Sequence, residues 1–308
     1  MAHAHQRLRV AILWQGLSGY TNASFTALGA LGADVLVYHS AQVGQAPFDD
    51  DVITRGLRTR VWSEPPDEDG LETVLDEFDP HALLVSSWHI NPYRRAARRR
   101  RGRTLRILCM DNQWWATPKQ LLGVGVSPLL VRPAYDAAFL PGDRSADFAR
   151  RLGFADERII RGLYTCDHPR FDAVAEARRG AAPGRAFLFV GRLVAEKGVD
   201  VLADGYRRYR QLAADPWPLL VGGVGPESDR LAGLDGVEML GFVQPDDLPG
   251  LLGRSGCLVL PSRFEPWGVV VHEAVTAGLP VVCTWVCGAA SRLVLDGYNG
   301  AVVSPDDA

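Results

Sequence analysis

Short apolar runs rich in Val, Leu and Ile recur along the chain, separated by stretches in which apolar residues return every three or four positions. The first pattern marks strands buried on both faces, and the second marks amphipathic helices. In the first half the runs predict strands at 9–14, 34–39, 82–87, 106–110 and 137–140, with helical stretches over 70–78 and 93–101. The alternation pauses at 167–185, DHPRFDAVAEARRGAAPGR, which ends in small residues, Pro and Gly and reads as an interdomain linker. It resumes with strands at 186–190, 218–221, 237–240, 257–260 and 280–283, and with helices after Gly198, Pro226, Pro245 and Gly268. Alternation of this kind predicts parallel sheets covered by helices on both faces, hence two doubly wound, Rossmann-like α/β domains at 1–166 and 186–308. Ligands of such sheets bind at the carboxyl ends of the strands, so the two domains are expected to face each other across a ligand cleft.

Composition narrows the class further. A chain of 308 residues that is 47% hydrophobic can bury two cores, which excludes disorder, collagen and coiled coil for the whole. A net charge of −3 gives no global attraction to nucleic acid, and none is expected as a partner. No apolar run approaches the ~18 residues of a membrane-spanning helix. The apolar stretch 10–14 is too short for a signal-peptide core, so the expected location is the cytoplasm. Five cysteines without a C-x-x-C spacing predict reduced, buried thiols and neither a disulfide framework nor a zinc centre. Only two of the 33 basic residues are lysines, Lys119 and Lys197, so a retained Lys marks a position where an ammonium is needed.

The second half carries the chemistry. Gly191-Arg192-Leu193-Val194-Ala195-Glu196-Lys197-Gly198 directly follows the run AFLFV. Small residues at a strand-to-helix turn let backbone N–H groups approach a phosphate, Arg192 can fork onto its oxygens, and Lys197 adds a mobile point charge. A solvated turn is the alternative reading. Gly222-Gly223-Val224-Gly225-Pro226 follows the next run and reads as a structural turn that also permits close ligand approach. The third constellation, Phe264-Glu265-Pro266-Trp267-Gly268-Val269-Val270-Val271-His272-Glu273-Ala274, sets two carboxylates seven residues apart across a helix start. Glu273 falls about 7 Å further along the helix axis than its first residues. The two carboxylates can thus accept hydroxyls at two points of an elongated ligand while free N–H groups near Gly268 and Val269 take a diphosphate. Taken singly, these are more often an N-terminal-turn glutamate, for Glu265, and a solvated helix residue, for Glu273.

GRLVAEKG, GGVGPE and FEPWGVVVHEA on successive strand ends resemble the GT-B glycosyltransferases of family 4. The tail AGLPVVCTWVCGAASRLVLDGYNGAVVSPDD is similar to the same group. The likeness runs from about residue 186 to 307. It is looser before that, where RIIRGLYTCDHPRF is similar to the family's interdomain N-G-V-D-x-x-x-F segment but departs from it at Tyr164-Thr165-Cys166. The resemblance implies the GT-B fold, with the family's C-terminal helices missing from these 308 residues and the second domain incomplete. It implies transfer of a hexose from a nucleotide-diphosphate sugar to an acceptor hydroxyl with retention of configuration. No metal and no other cofactor is expected, since no D-x-D stands at a strand end. By position, Arg192 and Lys197 would bind the diphosphate, Glu265 the transferred sugar and Glu273 the ribose. Gly191, Gly223 and backbone groups of Trp267, Gly268 and Val269 would line the donor, and the backbone at Val243 the base. Two alternatives remain open, a catalytically inactive sugar-nucleotide-binding partner and a same-fold enzyme such as a nucleotide-sugar epimerase.

The first half offers fewer candidates. Gly16, in the Gly-Leu-Ser-Gly loop after the first run, stands where the family sets a loop against the donor phosphate, and His89 in SSWHINP stands where the family touches the donor sugar. Either is equally read as structural. Asp111, Asn112 and Trp114 follow another strand and suit an acceptor sugar, lipid-linked sugar or small molecule, by hydrogen bonds and stacking. The run Arg94, Arg95, Arg98, Arg99, Arg100, Arg101 and Arg103 is a solvated helix face or a peripheral contact with anionic lipid at the inner membrane face.

Overall fold

A computed structural model describes residues 7–41, 47–62 and 67–306. The first six residues and the last two, which the expected domains include, lie outside the described residues. The chain divides into two units, Met1–Val43 with Asp50–Tyr164, and Gly44–Asp49 with Thr165–Ala308.

Unit 1 runs β1 (Arg9–Trp14), α1 (Gly19–Ala30), β2 (Asp34–Ser40), α2 (Asp50–Ile53), β3 (Arg58–Trp62), α3 (Glu68–Phe78), β4 (Ala82–Val85), α4 (Asn91–Arg99), β5 (Leu105–Cys109), α5 (Pro118–Leu130), β6 (Ala137–Leu140), α6 (Asp143–Arg151) and β7 (Ile159–Arg161). Its seven strands are all parallel, in the order β3-β2-β1-β4-β5-β6-β7. The core lies between the sheet and its helices and includes Leu13, Leu36, Leu71, Leu83, Tyr93, Leu108 and Leu140. The Tyr93 hydroxyl takes the indole N–H of Trp62 at 2.7 Å and donates to the Trp14 carbonyl at 3.0 Å, so a buried phenol is fully used.

Unit 2 runs α7 (His168–Arg178), β8 (Phe187–Val190), α8 (Val199–Leu212), β9 (Leu219–Gly222), β10 (Val237–Gly241), α9 (Leu248–Arg254), β11 (Cys257–Leu260), α10 (Val269–Thr276), β12 (Val281–Thr284), α11 (Ala290–Leu293) and β13 (Gly300–Val303). Its six strands are parallel, in the order β10-β9-β8-β11-β12-β13. The central strands bury Leu188, Phe189, Val221, Leu258, Leu260 and Val281.

Each sheet therefore reverses its winding between two adjacent strands, β1 and β4 in unit 1 and β8 and β11 in unit 2. At such a switch point the loops leaving neighbouring strands turn to opposite faces and open a crevice at the carboxyl ends. Three points differ from the sequence expectation. Residues 167–185, read as a linker, open with the helix α7, which packs on α9 and α10 with Phe171 buried. Its apolar content is mostly alanine, so no apolar run announces it, although Pro169 in its first turn is a helix-start signal. After Pro226 stands only a three-residue 3-10 turn, Ser228–Arg230, followed by Gly233 and Gly236 in left-handed conformations. The strands β3, β7 and β13 were not anticipated. All three are sheet edges; β3 and β7 carry arginines, and β13 (GAVV) is apolar but only four residues long.

Candidate functional site

In unit 2, β8 delivers the 191–198 loop and β11 the 261–268 loop to the two sides of the switch point. The loops are laced together by backbone bonds. The Glu196 carbonyl accepts the N–H groups of Arg263 at 2.8 Å and Phe264 at 3.1 Å. That register brings the Lys197 ammonium into an ion pair with the Glu265 carboxylate, 68 residues away in sequence. The pair is well shielded, with Glu265 only 9% exposed. Arg192 lies exposed at the start of the same loop. The Lys197 ammonium and the Glu265 carboxylate thus meet at the crevice where ligands of these sheets bind, with Arg192 on the same loop.

Neighbouring backbone holds this arrangement. Gly223 approaches Gly191 so closely that a Cβ at 223 would stand 1.9 Å from the Gly191 carbonyl oxygen. Gly268, the N-cap of α10, has φ 85°, and a Cβ there would stand 2.7 Å from Cys287 Sγ and 3.1 Å from Glu265 Cγ. With Gly268 as cap, the N–H groups of Val269 and Val270 have no acceptor within the helix, whereas the Val271 N–H already donates to the Gly268 carbonyl at 3.0 Å. The Trp267 ring is buried, and its carbonyl accepts the Ala289 N–H at 2.8 Å and the Cys287 thiol at 3.0 Å. That carbonyl is spent on holding the loop, so backbone contact with a donor, expected at Trp267, is left to N–H groups. Val243, after β10, lies against the end of β9, where a Cβ on Gly222 would meet its Cγ2 at 2.6 Å.

Sequence reading missed Arg263. Its guanidinium forks onto Asp200 in the first turn of α8, at 2.6 and 2.8 Å, and bonds Asp306 as well. The pairing pulls the Asp200 carboxyl down to about 2 and fixes the loop that carries Glu265 to the helix that follows Lys197. The signal lay in the sequence as an Arg two places before Glu265, but its partner is 63 residues away.

Glu273 does not join the Lys197–Glu265 pair. It sits half-buried on α10, and burial lifts its pKa to about 7 against the opposing pull of Arg170 on α7. The preceding residue, His272, has its ring 5.2 Å from that of His168, edge to face.

In unit 1 the switch point collects Gly16, after β1, and His89, after β4. Gly16 is exposed, and a Cβ there would meet nothing within 4 Å, so packing does not require glycine. His89 stacks on Trp88 with ring centroids 4.0 Å apart. The ring is exposed, and desolvation, then the Lys119 and Arg94 cations, lower its pKa from the usual histidine value. Asp111 receives the Tyr164 hydroxyl at 3.2 Å, and its carbonyl takes the Ser145 hydroxyl at 2.9 Å. Asn112 is exposed. Trp114 packs on Phe148 and carries the Arg151 guanidinium 4.6 Å over its ring, so its surface is engaged, and Trp115 is the more exposed of the two indoles. The basic run on α4 is largely answered by α3. Arg95 pairs with Glu68, Arg99 with Glu72, Arg100 with Glu72 and Asp76, and Arg103 with Asp76. Those charges are neutralised locally, which weakens the lipid-contact reading. Among the described residues no helix is long and apolar enough to cross a membrane.

Residues 184–308 match the family described as Glycosyl transferases group 1. The chain is 32% identical over 184 residues to the alpha-D-kanosaminyltransferase of Streptomyces kanamyceticus, a match covering 55% of this chain and 47% of that enzyme. It therefore spans about half the length of that relative. It is 25% identical, over an alignment of 342 positions, to the glycogen synthase of Mycobacterium tuberculosis H37Rv, covering 95% of this chain and 79% of that one. Among solved structures, HepE from Anabaena, in complex with UDP and glucose, superposes with a TM-score of 0.70 at 17% identity, over 96% of this chain and 85% of that one. The sucrose-phosphate synthase of Thermosynechococcus elongatus gives 0.70 at 18%, over 98% and 87%. The two parallel α/β units are those of the GT-B glycosyltransferase fold.

Proposed function

We propose that the protein is a glycosyltransferase that moves a hexose from a nucleoside-diphosphate sugar to an acceptor hydroxyl, with retention of configuration and without a metal. The observation that carries the proposal is the Lys197–Glu265 pair at the switch point of the second sheet, on the loop that also carries Arg192. The sequence relatives and the UDP-bound neighbour in fold support the donor class.

In this reading the bond from the anomeric carbon to the diphosphate oxygen breaks with its electron pair on the diphosphate. Arg192, Lys197 and the first-turn N–H groups of α10 stabilise that developing charge, the task a metal performs elsewhere. The acceptor oxygen attacks from the face the diphosphate leaves, and its proton passes to a phosphate oxygen. Glu265 accepts sugar hydroxyls and, before donor arrives, keeps the Lys197 ammonium in place. The neutral His89 offers one ring donor and one acceptor to a sugar. In unit 2, Gly191, Gly223 and Val243 line the donor and Glu273 accepts from the ribose hydroxyls; in unit 1, Gly16 is a further donor candidate and Asp111, Asn112 and Trp114 are the acceptor candidates. The acceptor is a sugar, a lipid-linked sugar or a small molecule.

A panel of UDP-, GDP-, ADP- and dTDP-sugars, screened by thermal shift and then assayed with sugar acceptors, tests the reading. Release of nucleoside diphosphate with a product of unchanged anomeric configuration supports it. Donor binding without turnover would show a binding protein, and an inverted product would remove the retaining mechanism.

A further inference from the structure

Cys166, His168 and His272 each offer one ligand atom, and these three atoms lie within 4.8 Å of one another. The arrangement is built by local structure at both ends. The His168 N–H donates to the Cys166 carbonyl at 3.0 Å, a tight turn into α7 that sets thiol and imidazole side by side. On α10, His272 and Thr276 are one turn apart on the same face, and the Cys166 thiol meets Thr276 Oγ1 at 3.3 Å. The His168 and His272 rings meet edge to face. Cys166 is buried, His272 is half-buried and His168 is exposed, so His168 is the solvent-facing member of the cluster.

We propose that Cys166, His168 and His272 form a binding site for one divalent transition metal, Zn²⁺ by the chemistry of the donors. One thiolate and two imidazoles suit a borderline-soft ion that accepts a tetrahedral set, with solvent in the fourth position. In such a set, metal–ligand bonds of about 2.0–2.3 Å leave neighbouring donor atoms about 3.3–3.6 Å apart. Contraction from the present spacing needs side-chain adjustment of about 1 Å, which the exposed His168 can supply. Binding displaces the thiol proton and ties the entry of α7 to α10. The site lies outside the Lys197–Glu265 pair, and the inference does not depend on the proposed transfer reaction.

The full chain, stripped of metal by a chelator and dialysed, is titrated with Co²⁺ under absorption spectroscopy and with Zn²⁺ under calorimetry. The expected result is one equivalent bound, visible tetrahedral bands and a thiolate-to-cobalt charge-transfer band, all displaced by Zn²⁺. Cys166→Ser removes the charge-transfer band. His272→Gln and His168→Ala each weaken binding at least ~10-fold. Zn²⁺ at about a hundred times its dissociation constant raises the melting temperature by about 5 °C. His168→Ala alters an exposed side chain and keeps the test valid even where Cys166→Ser misfolds. His3 and His5 near the N-terminus provide a second imidazole source that the double variant Cys166→Ser/His272→Gln retains. Octahedral cobalt without the charge-transfer band, or unchanged affinity and stoichiometry in the double variant and in His168→Ala, would overturn the site.

Discussion

Burial raises the Glu273 carboxyl from its ordinary 4.5 to about 7, and this sets two expectations. Between those values the native state holds a proton that the unfolded chain has lost. The stabilising contribution is therefore full below about pH 4.5 and is lost as pH rises through about 7, a change of about 3 kcal/mol. Glu273→Gln should remove that dependence and be the more stable chain at pH 8, as urea unfolding at pH 5 and pH 8 would show. A carboxylate that accepts ribose hydroxyls must also be ionised. Nucleoside diphosphate affinity should then rise with pH across about 6–8 more steeply in the parent than in Glu273→Gln. At the other carboxylate, Lys197→Ala and Arg192→Ala should each lower turnover by roughly 10²-fold while the fold persists, since both side chains serve the leaving charge. Lys197 was legible in the sequence because lysine is so scarce here. Glu265 was legible as well, but its pairing with Lys197 was not, because that bond is made between loops that only the sheet order brings together. Arg263 with Asp200, and Cys166 with His272, were hidden for the same reason.

Loops at strand ends place most of the candidate chemistry, so single bonds between elements should matter as much as residues in the site. Arg263 anchors the Glu265 loop to α8 through a fork onto Asp200. The pair is about one-third exposed, so Arg263→Ala should cost no more than about 1 kcal/mol of stability. It should nevertheless lower turnover by about tenfold, because the loop that carries Glu265 loses its fixed geometry. Unchanged turnover with a lowered melting temperature would make Arg263 merely structural. On the helix pair α3 and α4 the contrast is one of burial. The Arg100 side chain is 1% exposed between Glu72 and Asp76, whereas Arg95 is 58% exposed on Glu68. Arg100→Ala should cost about 3 kcal/mol and Arg95→Ala under about 1 kcal/mol, read from denaturant midpoints. A basic run that looks uniform in sequence thus divides by depth, which no periodicity displays. The central strands were legible because double burial writes them as apolar runs. The edge strands β3 and β7 were not, because their runs are broken by arginines, β13 was not because its run of GAVV is very short, and the alanine-rich α7 passed for a linker.

At the scale of the whole molecule, two parallel sheets, each with one reversal of winding, could be read from the strand–helix alternation before any contact was known. The reaction could not be read that way, because this fold serves many chemistries. It rests on whether the cations at the second switch point stabilise a leaving diphosphate. The most direct measurement is acceptor-dependent release of nucleoside diphosphate, followed in the full chain and in Lys197→Ala with the donor that thermal shift selects. The account predicts steady release by the parent, at least roughly a hundredfold slower release by the variant, and a folded variant by circular dichroism. Release at the parent's rate by Lys197→Ala, or a donor that binds and is never cleaved with any acceptor of the panel, would contradict it.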